Sequence, residues 1–395
     1  MAKSFDRRLG LIMFLLVTIF IGFGLIIPVM PVLVQETGAA PYHLGWLLAI
    51  YAFCSFILSP VWGGLSERYG RRPLIMIGTI GYAVSFFLFG IAADHLWLMY
   101  VSRILGGCFS GAATSVAMAY VADITSEADR NKGMGLAGMS IGLGFIIGPA
   151  VGGLLSLVTL TFPFFVASGL ALLVTAIVYT SLSETLSPEE RQQQRQQSKA
   201  SRWTAFTGAL KYLYIVAFIG SFGLAGLEAI LQYFQMVKIQ ATPFQIGMIL
   251  LISGIVGALI QGGVVRRIPS GSELRFIGIG LVISAVGMLL ILFSSNFWTA
   301  TLYVVIFGAG NTLIRPLVTS LVTKKSSVGH GISTGLVTSM DNLGRMIGPL
   351  AATSMYTANI HLPFLVMAAV TLLSLFLVLG YVHHDKKMAP SVSKG

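Results

Sequence analysis

Ionisable residues are rare in the apolar stretches of this sequence, and those that occur there could carry protons. Glu228, in GLAGLEAILQYF, and Asp341, in TSMDNLGRMIGP, are the acidic residues inside such stretches. A low-dielectric surrounding favours the neutral form of a carboxyl group, so a carboxyl group with changing access to water can bind and release a proton. Glu228 has no basic residue three or four positions away and should lack a partner on its own helix. We expect it to carry the proton; a silent buried acid is the alternative.

Three arginines lie in the same kind of apolar surrounding. Arg345 follows Asp341 by four positions and can pair with it within one helix, either as a structural pair or as a coupling site. Arg103, in YVSRILGG, is costly in hydrocarbon unless it meets water or a partner, so it is either a functional residue or a side chain that reaches the outer interface. Arg315, in GAGNTLIRPL, either contacts substrate or reaches the cytoplasmic interface.

The remaining reactive residues form no cluster that would indicate catalysis. All six histidines lie in predicted loops or in the tail. Cys54 and Cys108 lie in separate apolar stretches and are expected to be buried thiols without a disulfide. We find no nucleophile with a base and no set of metal ligands at membrane depth. We therefore expect neither an enzyme nor a bound metal or cofactor.

The elements that must position these residues are membrane helices. The chain has 395 residues, of which 55% are hydrophobic and 10% charged, whereas a soluble domain has about 25% charged residues. No stretch alternates as a barrel strand would, which predicts an all-α membrane protein. Twelve apolar stretches reach or approach the roughly 20 residues that cross a bilayer, at 9–34, 45–62, 74–93, 97–122, 134–158, 162–182, 206–234, 245–265, 276–295, 298–322, 331–357 and 363–382.

The net charge of +11 is distributed by side of the membrane and does not indicate nucleic-acid binding. The opposite loops (36–44, 94–96, 157–161, 235–244, 294–297 and 358–362) hold a single basic residue, Lys238. Positive residues concentrate on the cytoplasmic side, which predicts that both termini are cytoplasmic. That side holds Lys3, Arg7, Arg8, Arg68, Arg71, Arg72, Arg130, Lys132, Arg191, Arg195, Lys199, Arg202, Arg266, Arg267, Lys324, Lys325, Lys386, Lys387 and Lys394.

The sequence repeats itself at an offset close to 200 residues. The glycines and the proline of GLGFIIGP, at Gly144, Gly148 and Pro149, recur in NLGRMIGP as Gly344, Gly348 and Pro349. We predict two pseudo-symmetric six-helix bundles, at 1–182 and 205–395, the second ending in a short cytoplasmic tail. The polar, Gln-rich segment 183–204 would be a cytoplasmic linker. Parallel halves of this kind are typical of transporters with a substrate site near the midplane.

The loop GGLSERYGRRP resembles the cytoplasmic loop signature of the major facilitator superfamily, with Glu67 in place of the usual Asp. The resemblance implies a major facilitator fold and a conformational lock in which Asp123 is a partner of Arg71. It also implies a proton-coupling role for Arg103, which Gly107 follows as in the family pattern. The residues of this predicted lock loop are Gly63, Glu67, Arg68, Gly70, Arg71, Arg72 and Asp123.

The segment GMSIGLGFIIGPAVGGLL resembles the fifth-helix signature of the drug:proton antiporters of that superfamily. Glycines four positions apart lie on one helical face and allow close helix packing, while proline permits a bend. We expect this face to form a close contact between the two halves. The glycine stripe consists of Gly144, Gly148, Pro149, Gly152 and Gly153.

The segment GFGLIIPVMP, residues 22–31, is similar to the first helix of twelve-span multidrug and tetracycline exporters. The resemblance covers nearly the whole chain and implies a proton-coupled exporter of amphiphilic, cationic drugs, driven by the proton gradient and functional as a monomer. A narrow-substrate exporter of a sugar, a lipid or tetracycline is the alternative. Related exporters carry an acid in span ten, where this chain has Asn311, and Asp341 is expected to compensate. The implied substrate residues are Phe23, Met118, Phe145, Glu228, Gln232, Tyr233, Asn311 and Arg315.

Overall fold

The computed structural model describes residues 7–92, 94–126, 129–185, 206, 208–269, 271–326 and 330–388. Most of the predicted linker 183–204 and the end of the tail lie outside these residues, as do Lys3, Arg191, Arg195, Lys199, Arg202 and Lys394. Within the described ranges the chain forms α-helices and one 3-10 turn, Val265–Arg267, and no strand. The helices are α1 (Arg7–Leu25), α2 (Met30–Glu36), α3 (Tyr42–Tyr69), α4 (Arg71–Gly90), α5 (Leu96–Ile124), α6 (Arg130–Leu155), α7 (Phe162–Ser181), α8 (Leu210–Ile239), α9 (Pro243–Gly263), α10 (Glu273–Ile291), α11 (Phe297–Lys325), α12 (His330–Ala358) and α13 (Leu362–Met388).

Eleven helical segments of the described chain are long and apolar enough to cross a membrane. The first of them, Arg7–Glu36, contains both α1 and α2. A turn separates α1 from α2 because Pro28 and Pro31 have no amide hydrogen to continue the helix. The helix α12 is not among these eleven segments. It is 29 residues long, but it is less apolar because it contains Asp341 and Arg345 among many small polar residues. The all-α fold with twelve membrane helices agrees with the prediction.

By internal contacts the chain divides into two compact units. The first unit comprises residues 1–198 together with 242–251, the beginning of α9. In it, α1 packs against α6 and α7, α4 packs against α5 and α7, and α3 packs against α5. Aromatic rings fill the interior, as in the stack of Phe89 on Phe164 with ring centroids 4.6 Å apart. This packing fixes the rotation of α5, which carries Arg103.

The second unit comprises residues 199–241 and 252–395. Its packing repeats that of the first unit: α8 packs against α12 and α13, and α10 packs against α11 and α13. Tyr214, Leu281, Val318 and Leu336 are fully buried in its core. The internal repeat of the sequence therefore corresponds to repeated helix packing, in which α8 and α12 take the places of α1 and α6.

Candidate functional site

Glu228 lies in the middle third of α8 and is half-buried. The guanidinium group of Arg345, on the neighbouring helix α12, interacts electrostatically with the Glu228 carboxyl group. The sequence predicted no partner on the same helix, and residue spacing along one helix gives no information about partners on another. The positive charge that acts on Glu228 comes from a residue more than one hundred positions away in the chain.

Asp341 lies in α12 and is only 3% exposed. Its Oδ2 atom lies 2.7 Å from the Nε atom of Arg315 on α11, and its Oδ1 atom accepts a hydrogen bond of 2.8 Å from the Ser221 hydroxyl group on α8. The ion pair of Asp341 in this structure therefore joins two helices, with a partner other than the Arg345 that the spacing suggested. Ser221 was not predicted, although it lies seven positions before Glu228 and hence on the same face of α8.

Asn311 and Arg315 lie one turn apart on α11. The Asn311 side-chain amide donates a hydrogen bond of 3.0 Å to the backbone oxygen of Gly220. Arg315 is paired with Asp341, so its guanidinium group is held against α12, and its contact with substrate stays a prediction. The second unit thus brings the side chains of Asn311, Arg315 and Asp341 to the surroundings of α8.

Arg103 is 1% exposed, so its side chain does not reach an outer interface. Its guanidinium carbon lies 4.7 Å from the ring centroid of Phe89, 5.6 Å from that of Tyr51 and 5.8 Å from that of Phe86. Among the described residues, no carboxylate forms an ion pair with it. A buried guanidinium group surrounded by ring faces gains cation–π attraction in place of hydration. Gly107 permits this arrangement, because a Cβ atom there would lie 2.5 Å from the Tyr51 backbone oxygen.

Two of the predicted substrate residues come together beside this arginine. The ring of Phe23 lies 5.4 Å from that of Phe145 and 5.6 Å from that of Tyr51, measured between centroids. Phe23, Phe145 and Tyr51 therefore form a continuous row of rings that ends at Arg103. All are large apolar surfaces of the kind that line sites for amphiphilic ligands.

The glycine stripe of α6 packs against α1. A Cβ atom at Gly148 would lie 2.7 Å from the Cα atom of Gly24, and one at Gly144 would lie 2.6 Å from the Cβ atom of Phe20. A Cβ atom at Gly152 would overlap the backbone of Leu25. The expectation that this face contacts the other half is therefore wrong for these three glycines, whose neighbours lie on α1 of the same unit. Hydropathy and spacing predicted the close contact but could not show which helix makes it.

The end of the stripe faces another helix. A Cβ atom at Gly153 would lie 2.7 Å from the backbone oxygen of Pro243 and 2.8 Å from the Cα atom of Phe244. Gly247 approaches the backbone oxygen of Pro149 in the same way. These residues of α9 belong to the part of the chain, 242–251, that clusters with the first unit. Close contact at Gly153 therefore involves α9, whereas Pro149 approaches both Gly247 on α9 and Gly24 on α1.

The predicted lock loop surrounds a buried ion pair. Arg71 is 5% exposed, and its Nε atom lies 2.9 Å from Oδ2 of Asp123, the partner that the family resemblance implied. Its Nη1 atom donates a hydrogen bond of 2.5 Å to the Ser66 hydroxyl group. Arg72 donates to the backbone oxygen of Tyr179, and Arg68 lies over the ring of Tyr69. Gly70 joins α3 to α4 with a φ of 102°, a left-handed conformation that favours glycine.

A model of the Major Facilitator Superfamily matches residues 12–333 and 275–394 of the chain. The chain belongs to the major facilitator superfamily. Multidrug resistance protein 2 of Bacillus subtilis is 33% identical to it over 402 residues, with 98% of each chain covered. Quinolone resistance protein NorA of Staphylococcus aureus is 29% identical over 388 residues, covering 97% of this chain and 98% of NorA.

Solved structures of the superfamily share the fold. A bacterial homologue of the human lysosomal transporter Spinster gives a TM-score of 0.79 at 14% identity, with 97% of this chain and 99% of that chain covered. The human organic anion transporter MFSD10 gives a TM-score of 0.69 at 24% identity, with 95% and 100% covered. This member of the major facilitator superfamily is a multi-pass membrane protein that transports small molecules and is not an enzyme. In the described part of the chain, no three His, Cys, Asp or Glu residues are grouped as metal ligands.

Three predicted substrate residues of this superfamily member lie apart from the groups above. Met118 is four turns beyond Arg103 on α5, about 22 Å along the helix axis. Gln232 is 1% exposed and donates a hydrogen bond of 3.1 Å to the backbone oxygen of Ala241. Tyr233 is 4% exposed and stacks on Tyr356 with ring centroids 6.0 Å apart. Gln232 and Tyr233 are thus enclosed by residues of their own unit, and their role in substrate binding stays a prediction.

Glu184 is a residue of the lock region that the sequence did not indicate. Its carboxylate accepts hydrogen bonds from the backbone amides of Arg71, at 2.9 Å, and Arg72, at 3.1 Å. Both amides belong to the first turn of α4, whose amide hydrogens have no partner within the helix. The adjacent Thr185 hydroxyl group donates a hydrogen bond of 3.1 Å to Asp123. The residues that directly follow α7 therefore hold both members of the Arg71–Asp123 pair.

Proposed function

We propose that this protein exports amphiphilic, cationic compounds in exchange for protons, by alternating access. The observation that carries this proposal is a half-buried carboxyl group, Glu228, in the middle of a membrane helix. Similarity along nearly the whole chain to a multidrug resistance protein and to a quinolone resistance protein supports drugs as the substrates. The row of rings at Phe23, Phe145 and Tyr51 supports an amphiphilic substrate class.

Substrate and protons are transported in opposite directions if a proton and a cationic substrate compete for the same carboxyl group. A protonated Glu228 is neutral and does not attract a cationic substrate, whereas an ionised Glu228 does. The positive charge of Arg345 on the neighbouring helix acts on the Glu228 carboxyl group. Glu228 is then poised to change its protonation when its access to water changes. The proton gradient supplies the energy, and the mechanism requires no cofactor.

Glu228→Gln tests this proposal because glutamine has the same shape and cannot ionise. We expect the variant to fold normally and to lose drug efflux driven by an imposed pH gradient in proteoliposomes. Glu36→Gln is the matched control, since Glu36 is an exposed carboxylate at the end of α2, and it should transport as the unmodified protein does. Unchanged pH-driven efflux by the Glu228 variant would remove this residue from the mechanism.

A narrow substrate range is the second candidate, and a chemically varied panel separates the two. Export of several unrelated cationic amphiphiles supports the broad range, whereas a single responding class such as tetracyclines, sugars or lipids supports the narrow one. We further propose a functional monomer in the cell membrane with both termini in the cytoplasm, which the distribution of lysine and arginine supports. Labelling of single introduced cysteines at the two termini and beside Lys238, from one side of intact cells, tests that orientation.

A further inference from the structure

Asp341 is enclosed, while the arginine that pairs with it is open to solvent. The Asp341 side chain is 5% exposed and the Arg315 side chain 61% exposed, although their charged atoms are 2.7 Å apart. Arg315 lies in the middle third of α11, where an arginine in contact with lipid would be very costly. The exposure of its side chain together with this cost indicates that it faces water and not lipid. The Arg315 guanidinium group therefore lies between the Asp341 carboxylate and the solvent.

A hydrogen bond from α8 also holds the Asp341 carboxylate. Oδ1 of Asp341 accepts the hydrogen bond from Ser221, on α8. Ser221 and Glu228 are seven positions apart and lie on one face of that helix. Asp341 and Arg345 likewise lie four positions apart on α12. Two carboxyl groups thus lie on the packed helices α8 and α12: Glu228 is under the electrostatic influence of Arg345, and Asp341 is covered by Arg315.

We infer that Asp341 is a second cation-binding carboxylate and that Arg315 is a tethered cation which a substrate cation must displace. This inference rests on the proposed export of cationic compounds and names the substrate class more narrowly. A guanidinium group is a planar, delocalised and weakly hydrated cation. Its best replacements are monovalent organic cations with delocalised charge. A carboxylate buried beside Arg315 cannot lose its partner without gaining another cation or a proton, because an unpaired buried charge is strongly destabilising.

Removal of the tethered cation should strengthen substrate binding. We expect Arg315→Gln to bind tetraphenylphosphonium about tenfold more tightly than the unmodified protein, because the displaced ion pair is intermediate between an exposed and a buried one. Arg315→Lys should give a smaller increase, since lysine keeps the charge but lacks the planar donor pair. Asp341→Asn should weaken binding. The Asp341→Asn, Arg315→Gln double variant should bind as weakly as Asp341→Asn alone, because Arg315 affects binding only through the Asp341 carboxylate.

The experiment measures the dissociation constant of tetraphenylphosphonium for purified protein in lipid nanodiscs. Lys324→Gln is the matched control: Lys324 also lies on α11, is 47% exposed and pairs with a buried carboxylate, Glu273, at 2.5 Å. It should leave tetraphenylphosphonium binding unchanged. An uncharged amphiphile such as N-phenylnaphthylamine should bind equally to all variants. The midpoint of thermal unfolding shows that each variant is folded.

Two results overturn different statements. Unchanged or weaker tetraphenylphosphonium binding by folded Arg315→Gln and Arg315→Lys overturns the tethered-cation inference and leaves proton-coupled export by Glu228 intact. No tetraphenylphosphonium binding by any form, together with binding of the uncharged amphiphile, overturns the cationic substrate class itself. If Arg315→Gln does not fold, the affinity of Arg315→Lys relative to that of the unmodified protein decides whether the inference stands.

Discussion

The two units of this transporter share their helix packing but differ in the charges inside it. In the first unit, Arg103 lies among aromatic rings without a carboxylate partner among the described residues. In the second unit, the carboxyl groups of Glu228 and Asp341 face Arg345 and Arg315. The two units therefore share a backbone arrangement but place different charged side chains inside it. The proposed proton-exchanging carboxyl groups lie in the second unit, while the helices of the first unit enclose a buried cation among aromatic rings.

The turns before α4 and α10 occupy equivalent places in the two units, and the ion pairs that follow them have opposite arrangements of charge. Gly70 and Gly271 have φ values of 102° and 97°, and each precedes an ion pair between the start of one helix and the end of the next. Arg71 pairs with Asp123 in the first unit, whereas Glu273 pairs with Lys324 in the second. A helix start favours negative charge and a helix end favours positive charge. The second pair agrees with both helix dipoles, and the first opposes both.

Glu184 compensates for this difference. Its carboxylate at the start of α4 supplies the negative charge that Arg71 does not. The second unit needs no such residue, because Glu273 itself accepts a backbone hydrogen bond of 2.6 Å from Gly271. The Arg71–Asp123 pair is thus stabilised by the neighbouring Glu184 and Thr185 more than by the helix dipoles. Variants in both units can test whether the two pairs differ in this way.

The largest effect is expected where the two units are alike. Gly148→Leu and Gly348→Leu should each prevent correct folding, because a side chain at either position meets the backbone of the facing helix, α1 or α8. Recovery of monodisperse protein after size-exclusion chromatography measures this loss. Gly169→Leu, at an exposed position with no neighbouring atom within 4 Å, is the control and should be recovered normally. Normal recovery of either stripe variant would contradict the duplicated contact.

An intermediate effect is expected where the two ion pairs differ. Asp123→Ala should lower the free energy of unfolding by about 2 kcal/mol, because it leaves Arg71 as a buried cation at a helix start. Lys324→Ala should cost about 1 kcal/mol or less, since the helix start and the Gly271 amide still stabilise Glu273. Thermal unfolding of both variants in the same lipid measures the difference. Equal losses, or a larger loss for Lys324→Ala, would show that helix dipoles do not distinguish the pairs.

The smallest effect is expected from Glu184→Gln. The amide retains one acceptor for the first turn of α4 but loses the negative charge, so we expect a loss of about 0.5 kcal/mol that increases at low ionic strength. Thr185→Val removes only the hydrogen bond to Asp123 and should show no dependence on ionic strength. The midpoint of thermal unfolding at low and high salt distinguishes the two. A salt-independent loss for Glu184→Gln would mean that its charge does not support α4.

Some of this architecture could be predicted from local sequence features. Glycines spaced by four predicted a close helix contact at 144–152, and the loop signature predicted the Arg71–Asp123 pair. The partners of Glu228 and Asp341 could not be predicted, because they lie on other helices whose rotation depends on packing along their full length. The break between α1 and α2 was also missed, although Pro28 and Pro31 indicate it. Glu184 gave no signal, since an acid just after a helix is ordinarily solvated.

The sequence by itself determined that this chain crosses a membrane with helices, repeats one design twice and carries very few ionisable groups at depth. Those properties follow from hydropathy, spacing and composition, which are additive along the chain. Tertiary structure alone decided that Gly144, Gly148 and Gly152 face α1, that Arg345 acts on Glu228 and that Arg315 covers Asp341. These choices depend on how each helix is rotated against its neighbours, and a rotation is set by the sum of many contacts between residues distant in the chain.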